Sequence, residues 1–513
     1  MAEKKQQKSK KKSKNQKIKI MDIEDELRTE TESGKLERVK ELLLIPGINI
    51  NRFDLDDEEN PLLLACWKGH TEVVRILLED HRIDVNVLNI NGLSPLHLAV
   101  RENQVEIVKT LLGDERTIVQ IKSSQQKISP FQFACFYSRN EIVNVFKELK
   151  SEELSTQDIK LGRFVELCVN EMEDNYSEIV ELIEEIDINH FFIIACSSGN
   201  LKVIEMILSL GNPNLDINFG CWDGVTAFYL ACRQNRINIV TFLLTLPTIN
   251  VNTPTTKGAT PFFIACDRCH SEIVKLLLSD KRVDINKGIK SNITPFYNSC
   301  RNGNMDIFKL LLQDPRVDLN QSNTSGFTPF SFSCWTGKIQ MVKLFLNQKG
   351  VDLKKPTIIG ATPFYLACRS GHLDIVKLLL KDERIDPNKS MVGGATPFYI
   401  ACKIGNLEIV KLLLSNEREI DIGVKCRHEN RNATEQAIVS STASRYFWER
   451  TEEECQKRQQ NCIQIIKTLD QYQMNKEETK FLLKKELGIL EEYASEILSL
   501  IVLTSDNYLS ISK

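Results

Sequence analysis

The sequence predicts an all-α protein built as an array of stacked helix–turn–helix repeats. A small residue recurs along the chain, after aromatic or aliphatic side chains and usually before Cys. The copies are Ala65, Ala99, Ala134, Ala195, Ala231, Ala265, Ser299, Ser333, Ala367 and Ala401. Most neighbouring copies lie 34 residues apart, and a fixed period of this length is typical of repeat architectures. Because each repeat stacks only on its neighbours, 513 residues need not divide into separate globular cores.

Each repeat is predicted to open with a tight turn and a capped first helix. In the clearest copy, residues 360–388, Gly360 stands two residues before the pair Thr362-Pro363, as suits a turn that requires positive φ. Thr362 is placed to accept a backbone N–H, and Pro363 fits the first helical position. Gly371 is then placed to end this short helix in the left-handed conformation.

A longer second helix and a connector complete the repeat. Residues 372–380, HLDIVKLLL, carry a wide apolar face that one helix cannot bury by itself. A connector of the form D-x-R-hydrophobe-D-x-N follows at residues 280–286, 314–320 and 382–388. The predicted unit is therefore turn, short helix, longer helix and connector.

This pattern, G-x-T-P-x-x-x-A…G-H-x-x-I-V-x-x-L-L…D-x-N, resembles the ankyrin repeat over about residues 30–470. The resemblance implies an all-α ankyrin-repeat solenoid, with helix–turn–helix repeats of about 34 residues and β-turn or hairpin fingers. Phe stands at the usual Leu position in Phe131, Phe192, Phe228, Phe262, Phe296, Phe330, Phe364 and Phe398. We expect the larger ring to fill the core between repeats.

The step of 61 residues from Ala134 to Ala195 breaks the period. Residues 150–190 contain FVELCVNEMEDNYSEIVELIEE, which predicts two short helices without a Thr-Pro start. We interpret this segment as a degenerate repeat with a trimmed hairpin. Since mismatched neighbours couple weakly, we expect a bend or a loosened interface at residues 149–195.

The array is predicted to span residues 21–420, and both ends of the chain depart from it. Residues 1–20 form a Lys-rich tail that is too polar to order itself. Its Lys10, Lys11, Lys12 and Lys14 resemble a nuclear localisation or nucleic-acid contact, and a plain solubilising terminus explains them equally well. Residues 421–473 are interpreted as a modified C-terminal capping repeat.

Residues 474–513 are predicted to contain an amphipathic C-terminal helix. Its apolar stripe is Leu483, Leu487, Leu490, Ala494, Ile497 and Ile501. The stripe covers fewer than three heptads, and Gly488 interrupts it. We favour a helix folded back on the last repeat over a coiled-coil dimer or a docking helix for a partner.

The 15 cysteines argue for a reducing compartment. Nine of them follow the repeated small residue, and equivalent positions in stacked helices lie roughly 8–10 Å apart, too far for disulfides. The C-x-x-C-H pattern of residues 266–270 arises from the repeat register, and we do not interpret it as a haem or metal site. We expect no metal and no cofactor. Without a secretory signal or an apolar stretch long enough to cross a bilayer, the chain is predicted to be intracellular, cytoplasmic or nuclear.

No catalytic motif is present in the sequence. It lacks G-x-S-x-G, H-E-x-x-H, a P-loop and a dinucleotide-binding glycine pattern. The seven histidines are scattered, and a solenoid offers a groove rather than a closed pocket. We therefore predict that the protein is not an enzyme.

In the ankyrin family, the two positions after the Cys-type residue line a concave surface, and here they are rich in Arg and aromatic side chains. The candidate partner-binding residues are Trp67, Arg101, Phe136, Tyr137, Arg233, Arg301, Trp335 and Arg369. They predict a non-catalytic scaffold or adaptor that binds acidic or phosphorylated protein partners. Two alternatives remain: the arginines form ladders with neighbouring Asp and Glu, or the basic tail makes a nuclear or nucleic-acid-associated regulatory factor.

Overall fold

The computed structural model describes residues 23–53, 60–90, 92–123, 128–169, 176–185, 187–427, 429–443 and 452–489. Within these ranges the chain is helical, with two isolated β-bridges as its β pairing. The predicted all-α architecture is therefore confirmed. Two compact units are present: Met1–Ala265 with Ser279–Val283, and Cys266–Leu278 with Asp284–Lys513.

The first unit contains short inner helices, which begin at the repeat turns, and longer outer helices. The inner helices are Pro61–Lys68, Pro95–Arg101, Pro130–Phe136, Ile188–Ser198 and Ala227–Arg233. The outer helices are Leu36–Leu43, Thr71–Glu79, Val105–Leu112, Asn140–Lys150, Leu201–Ser209 and Ile237–Thr245. Between Asn140–Lys150 and Ile188–Ser198 lie two further helices, Thr156–Val169 and Tyr176–Glu185, which we call the inserted pair. Short 3-10 turns occupy Ser151–Glu153 and Trp222–Gly224.

The second unit repeats the same pattern with greater regularity. Its inner helices are Pro295–Asn302, Pro329–Trp335, Pro363–Ser370 and Pro397–Ile404, and its outer helices are Met305–Gln313, Ile339–Asn347, Leu373–Leu380 and Leu407–Ser415. Three C-terminal helices follow, Ala433–Thr442, Glu452–Met474 and Lys476–Glu486. The boundary between the units falls within the pair Pro261–Asp267 and Ser271–Ser279.

The predicted helix signals act as expected in the clearest repeat. The Thr362 hydroxyl accepts a hydrogen bond from the Tyr365 N–H at 3.2 Å, and Pro363 is the first helical residue. Gly371 ends the helix with φ of +78°, a conformation that costs glycine little. The cap fixes where each inner helix begins and, through it, which side chains face the neighbouring repeats.

The phenylalanines that replace the usual Leu are core residues, as predicted. All eight are at most 2% exposed. In the second unit the Phe345 ring lies 5.8, 5.2 and 5.6 Å from the rings of Phe296, Phe308 and Phe330. Because these rings come from two successive repeats, this cluster contributes to the interface between repeats as well as to each helix pair.

The D-x-R-hydrophobe-D-x-N connector holds one repeat to the next. In the second unit Arg316 Nη2 donates to Asp314 and to the carbonyl of Leu278 in the preceding outer helix, both at 2.6 Å. Asn286 donates from its amide to the Arg316 carbonyl at 2.7 Å. Equivalent bonds recur at Arg82, Arg116, Arg282 and Arg384. These connector arginines are structural, which separates them from the arginines of the inner helices.

The turns before the inner helices form fingers that contact one another through the backbone. In the second unit the Ile358 N–H donates to the Ser325 carbonyl at 3.3 Å, and the Val392 N–H donates to the Ile359 carbonyl at 3.1 Å. A Cβ atom on Gly326 would lie 2.5 Å from the Ile358 nitrogen. Glycine is therefore required here by the approach of the next finger as well as by its own positive φ of +81°.

His97 is a neutral buried histidine in the first unit. Its Nδ1 accepts from the Ser94 N–H at 3.2 Å, and its Nε2–H donates to the Ile128 carbonyl of the next repeat at 2.9 Å. Burial lowers the pKa of this imidazole to about 4. Between about pH 6.5 and pH 4, the unfolded chain therefore binds a proton at His97 and the folded protein does not.

We expect acid to destabilise the first unit through His97. Because the folded pKa is depressed, the unfolded state alone gains a proton as pH falls from about 6.5 towards 4, and the free energy of unfolding drops by about 3 kcal/mol over that window. Hydrogen exchange of residues 95–112 between pH 7 and 4 measures the change. H97Q keeps a neutral side chain and should lose this pH dependence; equal pH dependence in both proteins would refute the assignment.

The C-terminal helices close the second unit. Ala433–Thr442 and Glu452–Met474 pack against the last inner helix, Pro397–Ile404, and Lys476–Glu486 packs against the last outer helix, Leu407–Ser415. Lys476–Glu486 ends before Gly488, whose φ is +68°, so the helix does not continue unbroken through the predicted stripe. The predicted Lys-rich tail, residues 1–20, and the stripe beyond Ile489 lie outside the described residues.

Candidate functional site

The eight predicted partner-binding residues divide between the two units. Trp67, Arg101, Phe136, Tyr137 and Arg233 belong to the first unit, and Arg301, Trp335 and Arg369 belong to the second. Their environments differ sharply, because the inserted pair alters the packing of the first unit.

Three of the candidates are buried and do not offer a free surface. Phe136, Tyr137 and Arg233 are at most 9% exposed. Beside the inserted pair, the inner helix Pro130–Phe136 packs directly on Ile188–Ser198, and the Phe136 ring lies 5.2 Å from the ring of His190. The expectation that these three side chains line an accessible surface is therefore corrected: the shortened repeat brings inner helices together over them.

An ionic and aromatic cluster forms at this closure. The Arg233 guanidinium lies 4.5 Å from the Tyr137 ring centroid, and its Nη2 is 3.7 Å from Glu102. Glu102 also accepts a hydrogen bond from Arg101 Nε at 2.9 Å. The charges of Arg101 and Arg233 are thus directed at one carboxylate of the protein itself, as the alternative of arginine–acid ladders predicts.

Trp67 is an isolated exposed aromatic residue of the first unit. Its side chain is 41% exposed, and Lys68 Nζ lies 4.5 Å from its ring centroid. Lys68 in turn pairs with Glu32 at 3.2 Å. Trp67 therefore offers apolar contact area, while the positive charge of Lys68 is already balanced by Glu32.

Arg301, Trp335 and Arg369 form what we call the Arg–Trp–Arg row. They hold equivalent positions at the ends of three successive inner helices that pack side by side, so neighbours along the row are separated by roughly one repeat, about 8–10 Å. All three side chains are exposed. The row presents a flat aromatic side chain between two guanidinium groups.

Trp335 is held in place by an aromatic cluster. Its ring lies 5.2 Å from Phe327 and 5.6 Å from Phe332, and Phe332 lies 5.1 Å from Tyr297. The Trp335 carbonyl accepts a hydrogen bond from His372 Nε2 at 2.9 Å. A tryptophan fixed in this way loses little conformational entropy when a partner covers it.

The two arginines of the row form no ion pair with a described residue. Across the described part of the chain, no Asp or Glu oxygen lies within 4 Å of the guanidinium of Arg301 or Arg369. The equivalent positions on either side of the row differ from it. One repeat earlier stands the acidic Asp267, which accepts hydrogen bonds from the amides of Asn298 and Asn302. One repeat later stands Lys403, which donates to Glu429 at 2.5 Å.

Each of these arginines also lies near a buried tyrosine of its own helix. Burial raises the pKa of Tyr365 to about 12, and the positive charge of Arg369 acts against that rise. Burial raises the pKa of Tyr297 as well, again opposed by Arg301. Both tyrosines stay neutral at physiological pH, so they leave the positive charge of the row uncompensated.

Apolar side chains are exposed on the finger tips of the same unit. Ile358 and Val392 are 72% and 71% exposed, and Ile359 is 45% exposed. The backbone bonds between fingers hold these side chains on neighbouring tips. They are not among the residues predicted from the sequence, although a β-branched residue at a turn that otherwise needs glycine and polar residues is a signal of contact surface.

Phe327 and Phe332 were also absent from the predicted set. The spacing of Phe332 and Trp335 is that of neighbours on one helix face, so their contact was readable from the sequence. The contact of Trp335 with Phe327 was not, because Phe327 comes from the finger and reaches the ring only through the fold.

The cysteines do not form a chemical site. None of the 15 forms a disulfide bond, and the nine at the repeat position are buried, as predicted. Burial raises the pKa of Cys168 and Cys300 to about 12, which keeps these thiols neutral and unreactive. Over the described ranges there is no group of three or more His, Cys, Asp or Glu placed to hold a metal ion. None of the helices in those ranges has the length and apolarity needed to cross a membrane.

A family model for ankyrin repeats in three copies matches residues 29–124, 165–255, 192–289, 281–357 and 349–426. These matches cover more than half of the sequence, and the chain belongs to the ankyrin repeat family. Ankyrin repeats are generally protein–protein interaction modules, and the family is typically not enzymatic.

A solved structure with detectable similarity is the ankyrin repeat domain of Bcl-3, described as a unique member of the IkappaB protein family. The two chains are 21% identical with a TM-score of 0.39, and the match covers 48% of this chain and 99% of that chain. No curated protein matches the chain.

Proposed function

We propose that the second unit binds an acidic segment of a partner protein along its Arg–Trp–Arg row, and that the protein acts as a non-catalytic scaffold or adaptor. The observation that carries the proposal is the pair of exposed guanidinium groups at Arg301 and Arg369, beside which no carboxylate of the described residues lies. Elsewhere on the inner helices, Arg101 and Lys403 are already paired.

The chemistry of the row favours carboxylates or phosphates on the partner. Arginine forms bidentate, charge-assisted hydrogen bonds with both groups. Trp335, fixed between the two arginines, adds apolar contact area of the kind that dominates binding energy at protein interfaces. A segment with acidic residues on either side of an apolar anchor therefore matches the row.

The exposed finger tips Ile358, Ile359 and Val392 extend the proposed contact area. They favour a partner segment that carries apolar side chains on one edge, and they restrict the choice among acidic sequences. Electrostatic attraction then increases the rate of association with the surface, and the apolar contacts lower the rate of dissociation.

The first unit is a weaker candidate for the same activity. Its inner surface is closed at Tyr137 and Arg233, and Trp67 stands apart from any uncompensated arginine. The basic residues 1–20, which carry the alternative of nucleic-acid association, lie outside the described residues. The 15 cysteines, none of which forms a disulfide bond, are suited to a reducing compartment and support an intracellular location.

Selection of displayed peptides by the full-length protein tests the proposal. We expect a library of random 12-residue peptides on phage to yield binders with net negative charge and at least one aromatic or large aliphatic residue. Replacing Glu and Asp by Gln and Asn in a synthetic copy of such a binder should weaken its affinity at least tenfold, measured by fluorescence anisotropy, because each charge-assisted hydrogen bond contributes about 1.5–3 kcal/mol.

R301E/R369E supplies the site control, and K309E supplies the matched charge control. Lys309 is exposed on the outer helix Met305–Gln313 of the same unit. The selected peptides should bind K309E with the affinity that they show for the wild type. They should not bind R301E/R369E. Selected peptides without an acidic bias, or equal binding to all three proteins, would overturn the proposal.

A further inference from the structure

A recess lies on the outer-helix side of the second unit. It encloses about 910 Å³ and is lined by residues of Ile339–Asn347, Leu373–Leu380 and Leu407–Ser415, together with Lys484 and Ile489. We call it the outer groove. Because it is built from outer helices, it does not share residues with the Arg–Trp–Arg row of the inner helices.

The outer groove combines apolar contacts with an excess of positive charge. Ile339, Leu378, Leu412 and Ile489 supply the apolar contacts. The charged lining consists of Lys343, Lys377, Lys381, Arg418 and Lys484, with Asp374, Glu383 and Glu417. Five cations against three carboxylates leave a surface suited to an acidic, partly apolar ligand.

Two of the cations have no partner among the described residues. Arg418 donates to the carbonyls of Asp382 and Ile385, and Lys484 pairs with Glu417. Lys343 and Lys377, by contrast, make no hydrogen bond or ion pair with any residue that the structure describes. They hold the same register position on successive outer helices, so they present two amino groups along one side of the groove.

The chain itself leads into the outer groove. The helix Lys476–Glu486 is fixed to the outer helices by the ion pair of Lys411 with Glu486 at 2.6 Å and by that of Lys484 with Glu417. Three residues later Ile489 already lines the groove. Whatever follows residue 489 therefore starts beside the apolar and basic lining.

The sequence that follows has the complementary composition. Residues 490–503, LEEYASEILSLIVL, contain the apolar Leu490, Ala494, Ile497 and Ile501 of the predicted stripe. The same stretch contains Glu491, Glu492 and Glu496 and no Lys or Arg. Its charge is opposite to that of the groove, and its apolar residues match the groove lining.

We propose that residues 490–503, which lie outside the described residues, bind in the outer groove of their own chain. The apolar residues cover Ile339, Leu378 and Leu412, and the glutamates pair with Lys343 and Lys377. Attachment at Ile489 makes this binding intramolecular and gives the segment a high effective concentration at the groove. In the intact chain the outer groove is then a covered surface, and partner binding is left to the inner helices.

Zero-length cross-linking of the full-length protein tests this contact. A carbodiimide joins a lysine amine to a carboxylate as an amide, with loss of water, and only when the two groups touch. We expect mass spectrometry of the monomer to show amides between Lys343 or Lys377 and Glu491, Glu492 or Glu496. Lys309, one repeat earlier in the same register and outside the groove, is the internal control and should show none.

Hydrogen exchange with charge-reversed variants provides a second measurement on the full chain. In K343E/K377E, the amide hydrogens of residues 490–503 should exchange about tenfold faster than in the wild type, because two attractive contacts become repulsive. In K309E, their exchange rate should be unchanged. Absent cross-links, equal yields at Lys309, an unprotected segment in the wild type, or cross-links confined to a dimer would each overturn the proposal. The last result would assign the groove to a second copy.

Discussion

Replacing Phe345 with alanine is expected to lower the free energy of unfolding of the second unit by about 3–5 kcal/mol. Phe345 is fully buried and contacts Phe296, Phe308 and Phe330. The loss has two parts, because the smaller side chain forfeits apolar burial and leaves a cavity between repeats. Stability in a repeat array depends on such interfaces between neighbours, so the effect should extend beyond the helix Ile339–Asn347.

Phe481→Ala is the matched control for this experiment. Phe481 is 57% exposed on the C-terminal helix Lys476–Glu486, and its loss should change the free energy of unfolding by less than about 0.5 kcal/mol. Urea unfolding followed by circular dichroism compares the two variants. A Phe345→Ala protein as stable as Phe481→Ala would contradict the assignment of the aromatic cluster as the core between repeats.

Replacing Trp335 with alanine is expected to weaken binding of an acidic peptide by about 2–4 kcal/mol, or roughly 30-fold to 1,000-fold. The ring is 41% exposed in the free protein, and Phe327 and Phe332 hold it ready for contact. Because the ring also packs on Phe327 and Phe332, the substitution should lower the free energy of unfolding by about 1–3 kcal/mol. Affinity is therefore compared under conditions in which circular dichroism shows the variant to be folded.

Trp67→Ala tests whether the location of the tryptophan matters. Trp67 occupies the equivalent repeat position in the first unit and has the same exposure of 41%, but no uncompensated arginine flanks it. We expect this variant to bind the peptide as the wild type does. Equal losses in both variants, measured by fluorescence anisotropy, would show that any exposed tryptophan contributes and would argue against the Arg–Trp–Arg row.

The sequence predicted the repeat framework because each of its signals acts locally. Thr362 and Pro363 start a helix, Gly371 ends it, and both effects depend on residues only a few positions away. The burial of the phenylalanines and of the nine repeat cysteines followed from the same periodicity. The position of each inner helix was therefore readable before its neighbours were known.

The candidate site was only partly predictable, because exposure depends on how repeats meet. A rule that takes the same two positions from every repeat treats Arg233 and Arg369 alike. The inserted pair places Tyr137 and Glu102 beside Arg233, whereas Arg369 stays exposed. These contacts join residues 96 and 131 positions apart, and no local pattern encodes them.

The choice between a binding surface and arginine–acid ladders likewise needed the structure. Both outcomes occur in this protein: Arg101 pairs with the adjacent Glu102, and Arg301 does not pair with a carboxylate of the described chain. The pairing of Arg101 could be expected from the sequence, because Glu102 is its neighbour. The lack of a carboxylate beside Arg301 can be recognised only from the structure around its side chain.

A charge-swap cycle at the Arg–Trp–Arg row tests the central claim most directly. The wild type and R301E/R369E are each titrated with a selected acidic peptide and with a copy whose Asp and Glu residues are replaced by Lys. We predict that the reversed protein prefers the lysine peptide at least tenfold, with a coupling energy of at least about 2 kcal/mol. The same order of peptide affinities for both proteins would contradict recognition of an acidic partner by Arg301 and Arg369.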